Sequence, residues 1–195
     1  MQYGKGGFYM HTKQNYVSFI QDIKDSAKEI RNVRSISGCA MLTALHVVIS
    51  SFKIAVSNIL VISFGFLATG ICAMQYGPVL CGISGIVGDL LTYLIRPDTG
   101  AYFPGFTFNA FLGAFIYGCF LYKKEVTLTR TILCRFTVVI VINLILTPIW
   151  LHIMYGNALI AGIRIIKNIA MFPIDTALLY FTLKTASRLQ KTIKK

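Results

Sequence analysis

Long apolar runs separated by short polar breaks dominate the chain after residue 35, and their lengths predict the elements. Residues 36–52 carry no formal charge and make a first span. The next uncharged run, 54–88, is too long for one bilayer crossing. Gln75-Tyr76-Gly77-Pro78 breaks it, predicting a second span near 57–74 and a third near 79–95. A fourth follows at 106–122, ended by Lys123-Lys124-Glu125, and a fifth at 131–151 with Arg135 near its entry. The sixth covers 158–183, with Pro173 as a kink. The fold class expected is an all-α membrane protein, a six-transmembrane-helix bundle.

Residues 1–34 form the one sizeable polar region. Its polar start predicts no secretory signal. Ile20, Ile23, Ala27, Ile30 and Val33 recur at helical spacing between Lys24, Lys28 and Arg31. That predicts an amphipathic helix on the membrane or leading into the first span. Three parts follow: a cytoplasmic or interfacial segment 1–34, a membrane domain 35–185, and a basic cytoplasmic tail 186–195. With six spans both termini share one side. Fifteen Lys/Arg fall on that side and four on the other (Lys53, Arg96, Arg164 and Lys167). Positive charge collects in the cytoplasm, so both termini are expected to be cytoplasmic.

Composition agrees with a membrane setting. Of the 195 residues 55% are hydrophobic and 13% charged, against about 25% charged in soluble domains. The net charge of +12 sits mostly in tails and one loop, which suits anionic lipid and gives no reason to invoke nucleic acid. The five cysteines lack CxxC or Cys/His ligand spacing and read as small packing residues. No P-loop, HExxH or GxSxG motif occurs, and His11, His46 and His152 have no second ligand at useful spacing, so no enzyme or metal chemistry is expected.

The candidate chemistry converges on the outer half. In Arg164-Ile165-Ile166-Lys167-Asn168 the three polar residues share one helix face inside an apolar span. Charge at membrane depth is costly unless it meets a pocket or partner, or snorkels from a helix end. The loop from Arg96 to Phe106 combines two prolines and two glycines with Tyr102, Phe103 and Phe106. It reads either as a lid over a planar ring or as a rigid interfacial loop in an aromatic belt. Asp89, the one acid of the third span, either pairs with Arg96, Arg164 or Lys167 or accepts hydrogen bonds from a ligand. Asp175 lies deeper, beyond Pro173, and is not expected to touch a ligand. Gly82, Gly85 and Gly88 suit close helix packing, and Ala40 and Ala44, four apart, form a small-residue surface for a neighbouring helix or membrane subunit.

Several stretches, in order, resemble the folate-specific substrate-binding (S) components of energy-coupling factor (ECF) transporters, the FolT family. They are Gly77-Pro78 through Gly88-Asp89-Leu90-Leu91, Tyr102-Phe103-Pro104-Gly105-Phe106-Thr107, Tyr117-Gly118, Ile142-Asn143-Leu144, Trp150-Leu151, Tyr155-Gly156, and Arg164 to Asn168 followed by Pro173. The likeness covers roughly 36–185. One departure is Thr147-Pro148, where the family is expected to carry an Asn-Thr pair. The resemblance implies a multi-pass protein of a prokaryotic plasma membrane that captures folate or a reduced folate from outside. It implies no cofactor, and delivery with a T subunit and two ABC-type ATPases. Ala40 and Ala44 resemble the surface that docks on the T subunit. Folate has a flat pterin, an aryl linker and an anionic glutamate. Arg164 and Lys167 then supply positive charge, Asn168 and Asp89 polar recognition, and Tyr102, Phe103 and Phe106 a cover or stacking faces, with Arg96 beside them. Other readings are an S component for another vitamin or a queuosine precursor, a structural six-span protein resembling the rod-shape protein MreD, and a small intramembrane enzyme.

Overall fold

A computed structural model describes the backbone of residues 20–51, 54–55, 61–62, 64–95, 102–155 and 159–193. Helix α1 covers residues 20–29 and α2 Val33–Ser51. Two short strands follow, β1 (Ile54–Ala55) and β2 (Val61–Ile62). Then come α3 (Gly65–Ile95), α4 (Pro104–Leu121), α5 (Leu128–Val138), a π-helical stretch Val139–Leu146, α6 (Thr147–Tyr155) and α7 (Leu159–Ile193). The architecture is helical. Among the described residues four stretches are long and apolar enough to cross a membrane: Val33–Ser51, Gly65–Ile95, Pro104–Leu121 and Leu128–Met154.

The break expected at Gln75–Pro78 is a reversal of the chain. Cys81 Sγ lies 3.6 Å from the Thr69 carbonyl oxygen, twelve residues earlier. An uninterrupted helix would separate those positions by about 18 Å. Gly77 makes the turn at φ 80°, a left-handed conformation that favours glycine. Pro78 then opens the second limb, where its missing N–H is no loss. Ser26, fully buried on α1, closes the turn: its Oγ donates to the Tyr76 carbonyl (2.9 Å) and accepts from the Val79 N–H (3.0 Å). It caps a helix start from fifty residues away. The turn also meets α4 closely at Gly118, where an added Cβ would stand 2.3 Å from Pro78 Cα.

Two boundaries differ from the sequence expectation. The stretch 57–64 was expected to begin the second span, but β2 occupies Val61–Ile62 and pairs antiparallel with β1, Ile54 opposite Ile62 and Ala55 opposite Val61. Valine and isoleucine favour extended backbone, and the helix starts only at Gly65. At the other end α7 remains helical to Ile193, so most of the basic tail continues the last helix with Pro173 inside it. The π-helical stretch falls just before Pro148, with the Thr147 N–H reaching back to the Ile142 carbonyl. A regular α-turn would drive the Pro148 ring against the carbonyl four residues back.

α3 packs on α2 and α4, and α7 closes against α3 and α5. Their shared core contains Cys39, Cys72, Leu80, Cys81, Leu121, Cys134, Leu179 and Leu183. Four of the five cysteines are thus buried packing residues. Large apolar side chains such as Leu94, Phe136, Ile153 and Phe181 point outwards, as in a bundle whose solvent is lipid. α1 turns its acids inwards: Asp25 pairs with Lys123 at 2.9 Å and Asp22 with Lys124 at 3.9 Å. The hydrogen bond from Lys123 holds the Asp25 carboxyl below its ordinary range and raises the lysine in return. Lys24, Lys28 and Arg31 stay exposed, and Lys28 also reaches Asp25 at 3.4 Å.

Candidate functional site

Between α2, both limbs of α3, α4 and α5 lies a cavity of ≈ 360 Å³. That falls at the lower end of small-molecule pockets, about 300–1,000 Å³. Its two ends differ. At the end distant from α1 it is lined by His46, Ser50, Asp89, Thr92 and Asn109. Towards the α1 end it is lined by Tyr117, and Arg135 lies beside Phe66 in its wall.

At the distant end hydrogen bonds tie the wall together. His46 Nδ1 lies 2.9 Å from the Gly65 carbonyl oxygen and 3.0 Å from Thr69 Oγ1. Asp89 accepts from Thr107 Oγ1 at 2.8 Å, and Tyr102 OH stands 2.8 Å from the same hydroxyl. This chain fixes the start of α4 against the second limb of α3. Asn109, buried, accepts from Trp150 Nε1 at 3.0 Å and donates to Thr147 Oγ1 at 3.2 Å. Thr147, where the family resemblance breaks, is therefore a partner of a cavity-lining amide. The Phe103 ring packs between Phe106 (6.0 Å) and Trp150 (5.7 Å), and Tyr102 against Tyr93 (5.3 Å).

Part of the cavity wall is built on an ion pair. Arg135 of α5 pairs with Asp175 of α7, their side chains 12% and 15% exposed. The Arg135 guanidinium also donates to Tyr117 OH at 2.8 Å and lies 4.6 Å from the centre of the Phe66 ring. Four helical segments meet on one cation.

The expected site residues fall into three groups. Asp89 lines the cavity. Among the described residues it accepts a hydrogen bond from Thr107, and no basic side chain pairs with it. Tyr102, Phe103 and Phe106 gather at the start of α4, packed on each other and on Tyr93 and Trp150, outside the cavity's described lining. Arg164, Lys167 and Asn168 stand on α7. Asn168 is half-buried, while the side chains of Arg164 and Lys167 lie outside the described residues, as does Arg96 entirely. Ala40 and Ala44 are exposed on α2 beside a groove of ≈ 240 Å³ that Ile83 and Val87 also line. Sequence reasoning passed over Arg135, Tyr117, Asn109 and His46 as cavity residues. A guanidinium two turns inside an apolar span was the available signal, but Arg135 stood close enough to Lys123 and Lys124 to be counted with the loop charges.

The model for the S component of ECF-type riboflavin transporters matches residues 30–184. The folate transporter FolT of Clostridium novyi is 39% identical over 153 residues, 77% of this chain and 88% of that protein. FolT of Leuconostoc mesenteroides is 37% identical over 153 residues, 74% of this chain and 81% of that protein. A crystal structure of FolT bound with folic acid matches with a TM-score of 0.71 and 41% identity, covering 79% of this chain and 95% of that one. The chain belongs to the S components of ECF-type transporters, in the FolT family.

Proposed function

We propose that this chain captures folate from outside the cell as the S component of an ECF transporter. It is a transport subunit, not an enzyme. The observation that carries the reading is the likeness to FolT bound with folic acid, at 41% identity over 95% of that chain. The matching family model is named for riboflavin. Folate is preferred because the matching FolT proteins run at 37–39% identity across most of their length.

In this reading the protein crosses a prokaryotic plasma membrane six times, with both termini in the cytoplasm. The reversal at Gly77 supports the count by dividing Gly65–Ile95 into two limbs. The distribution of basic residues supports the orientation. The distant end of the cavity then faces outside. Arg164 and Lys167 supply positive charge to the folate carboxylates, and Asn168 and Asp89 supply polar contacts. Tyr102, Phe103 and Phe106 cover the mouth, with Arg96 in the same loop. Ala40 and Ala44 meet a T subunit across the exposed face of α2, and two ABC-type ATPases supply the energy for delivery.

The test is calorimetric titration of folate into the purified wild type and the variant Arg164→Ala/Lys167→Ala. Two lost charge-assisted contacts of about 1.5–3 kcal/mol each weaken binding by roughly 100-fold or more. Unchanged affinity in the variant would remove both residues from the site.

A further inference from the structure

We propose that the C-terminal part of α7 carries a second binding site, for one anionic phospholipid. A basic stripe takes its phosphate, and a groove beside the stripe takes the upper part of an acyl chain. The site is separate from the central cavity. It rests on the six-span reading only in placing that lipid in the inner leaflet.

The first support is unmatched charge. Five Lys/Arg and no acid follow Asp175 in the sequence. Lys184, Arg188 and Lys191 recur at intervals of four and three, so they share one helix face. All three are exposed. Among the described residues no acid pairs with any of them. The partner of Lys184 is neutral: its Nζ donates to Tyr180 OH at 3.1 Å and lies 5.1 Å from the centre of that ring. Like charges one turn apart repel each other, and an anion placed between them removes that cost.

The second is the groove. Ile71 of α3 and Phe181, Thr182, Thr185, Ala186 and Leu189 of α7 line a groove of ≈ 390 Å³. Phe181 is 67% and Leu189 59% exposed, a large apolar surface that favours a hydrocarbon cover over water. Arg188 adjoins Leu189 in sequence and lies one turn beyond Thr185, so stripe and groove share an edge. Free phosphate would use the stripe alone. A molecule with a phosphate and a chain uses both.

The third is depth. A Cβ added at Gly70 would stand 2.7 Å from Leu179 Cδ1 and 3.6 Å from Leu183 Cδ2, so this part of α3 lies level with residues 179–183. From Gly70 to the reversal at Gly77 is about 10 Å along the helix. In the six-span reading α7 runs the same way as this limb, and the same distance along it leads from residue 181 to Arg188. The stripe is therefore centred where α3 turns back at the inner surface. Basic side chains at that depth meet the phosphates of the anionic leaflet, and the groove opens just inside them.

The experiment mixes the purified chain, in neutral detergent, with equal amounts of phosphatidylglycerol and phosphatidylcholine of the same acyl chains. Bound lipid is counted by native mass spectrometry. The wild type is expected to retain one phosphatidylglycerol with a preference of roughly tenfold or more. Lys184→Gln/Arg188→Gln/Lys191→Gln is expected to lose that preference. Thr185→Trp, which keeps every charge and fills the groove, is expected to lower the retention severalfold. Lys24→Gln/Arg31→Gln/Arg34→Gln removes three exposed charges at and after α1 and is expected to behave as the wild type. No preference in the wild type, or equal loss in the two triple variants, would overturn the proposal. Unchanged retention in Thr185→Trp, or displacement of the lipid by soluble glycerol phosphate, would leave a bare phosphate site and overturn it too. The lipid is counted in detergent without folate, so failure here is distinct from failure of the six-span or the folate reading.

Discussion

Replacing Gly118 by alanine is expected to lower the thermal midpoint of the purified protein by about 6–12 °C, from about 3 kcal/mol lost at 2–4 °C per kcal/mol. The new Cβ would stand 2.3 Å from Pro78 Cα and 2.5 Å from Pro78 N. Both are backbone atoms, so no rotamer change makes room. Nor can the turn retreat. Gly77 holds its conformation against Ser26, whose Oγ bonds the backbone on both sides of it. The contrast is Gly88→Ala. There the nearest atoms are side-chain carbons of His46 and Thr43 at 3.4 Å, ordinary contact, and the midpoint is expected to move by no more than a few degrees. Equal behaviour of the two variants would mean that α4 does not rest on the reversal of α3 as described.

The second large effect is at the buried ion pair. Asp175→Leu is expected to destabilise the protein by about 3–5 kcal/mol, because it leaves the Arg135 cation buried without its counter-charge. Adding Arg135→Met should recover most of that loss, since well-packed apolar residues often replace a buried pair at little cost. The pair is thus expected to be strongly non-additive in a double-mutant cycle read by thermal unfolding. Additive losses would show that the two side chains do not act on each other.

The helical plan was legible because it rests on local signals. Apolar runs marked the four stretches that are long and apolar enough to cross a membrane among the described residues. Gln75-Tyr76-Gly77-Pro78 gave the reversal from two residue types alone, one that accepts positive φ and one that needs no N–H partner. Asp89 was legible as the one acid in its segment, and it does line the cavity. What stayed hidden joins residues far apart in the chain. Ser26 caps a turn fifty residues away, and Arg135 pairs with Asp175 forty residues on. Helical periodicity says which face a side chain occupies, not which helix comes to meet it. Asp175 was judged too deep for a ligand; it holds Arg135, a cation that lines the cavity. The strand at Val61–Ile62 was absorbed into a span because hydropathy does not separate a short apolar strand from the start of a helix. The aromatics of the loop before α4 were read either as a lid over a ring or as a rigid interfacial belt. Tyr102 packs on Tyr93, and Phe103 on Phe106 and Trp150, partners that the local sequence does not name.

The most direct test of the account is calorimetric titration of the purified wild-type chain with folate and, separately, with riboflavin. Saturable folate binding with no heat from riboflavin is the predicted result. Riboflavin binding without folate binding, or a well-folded sample that binds neither, would contradict it.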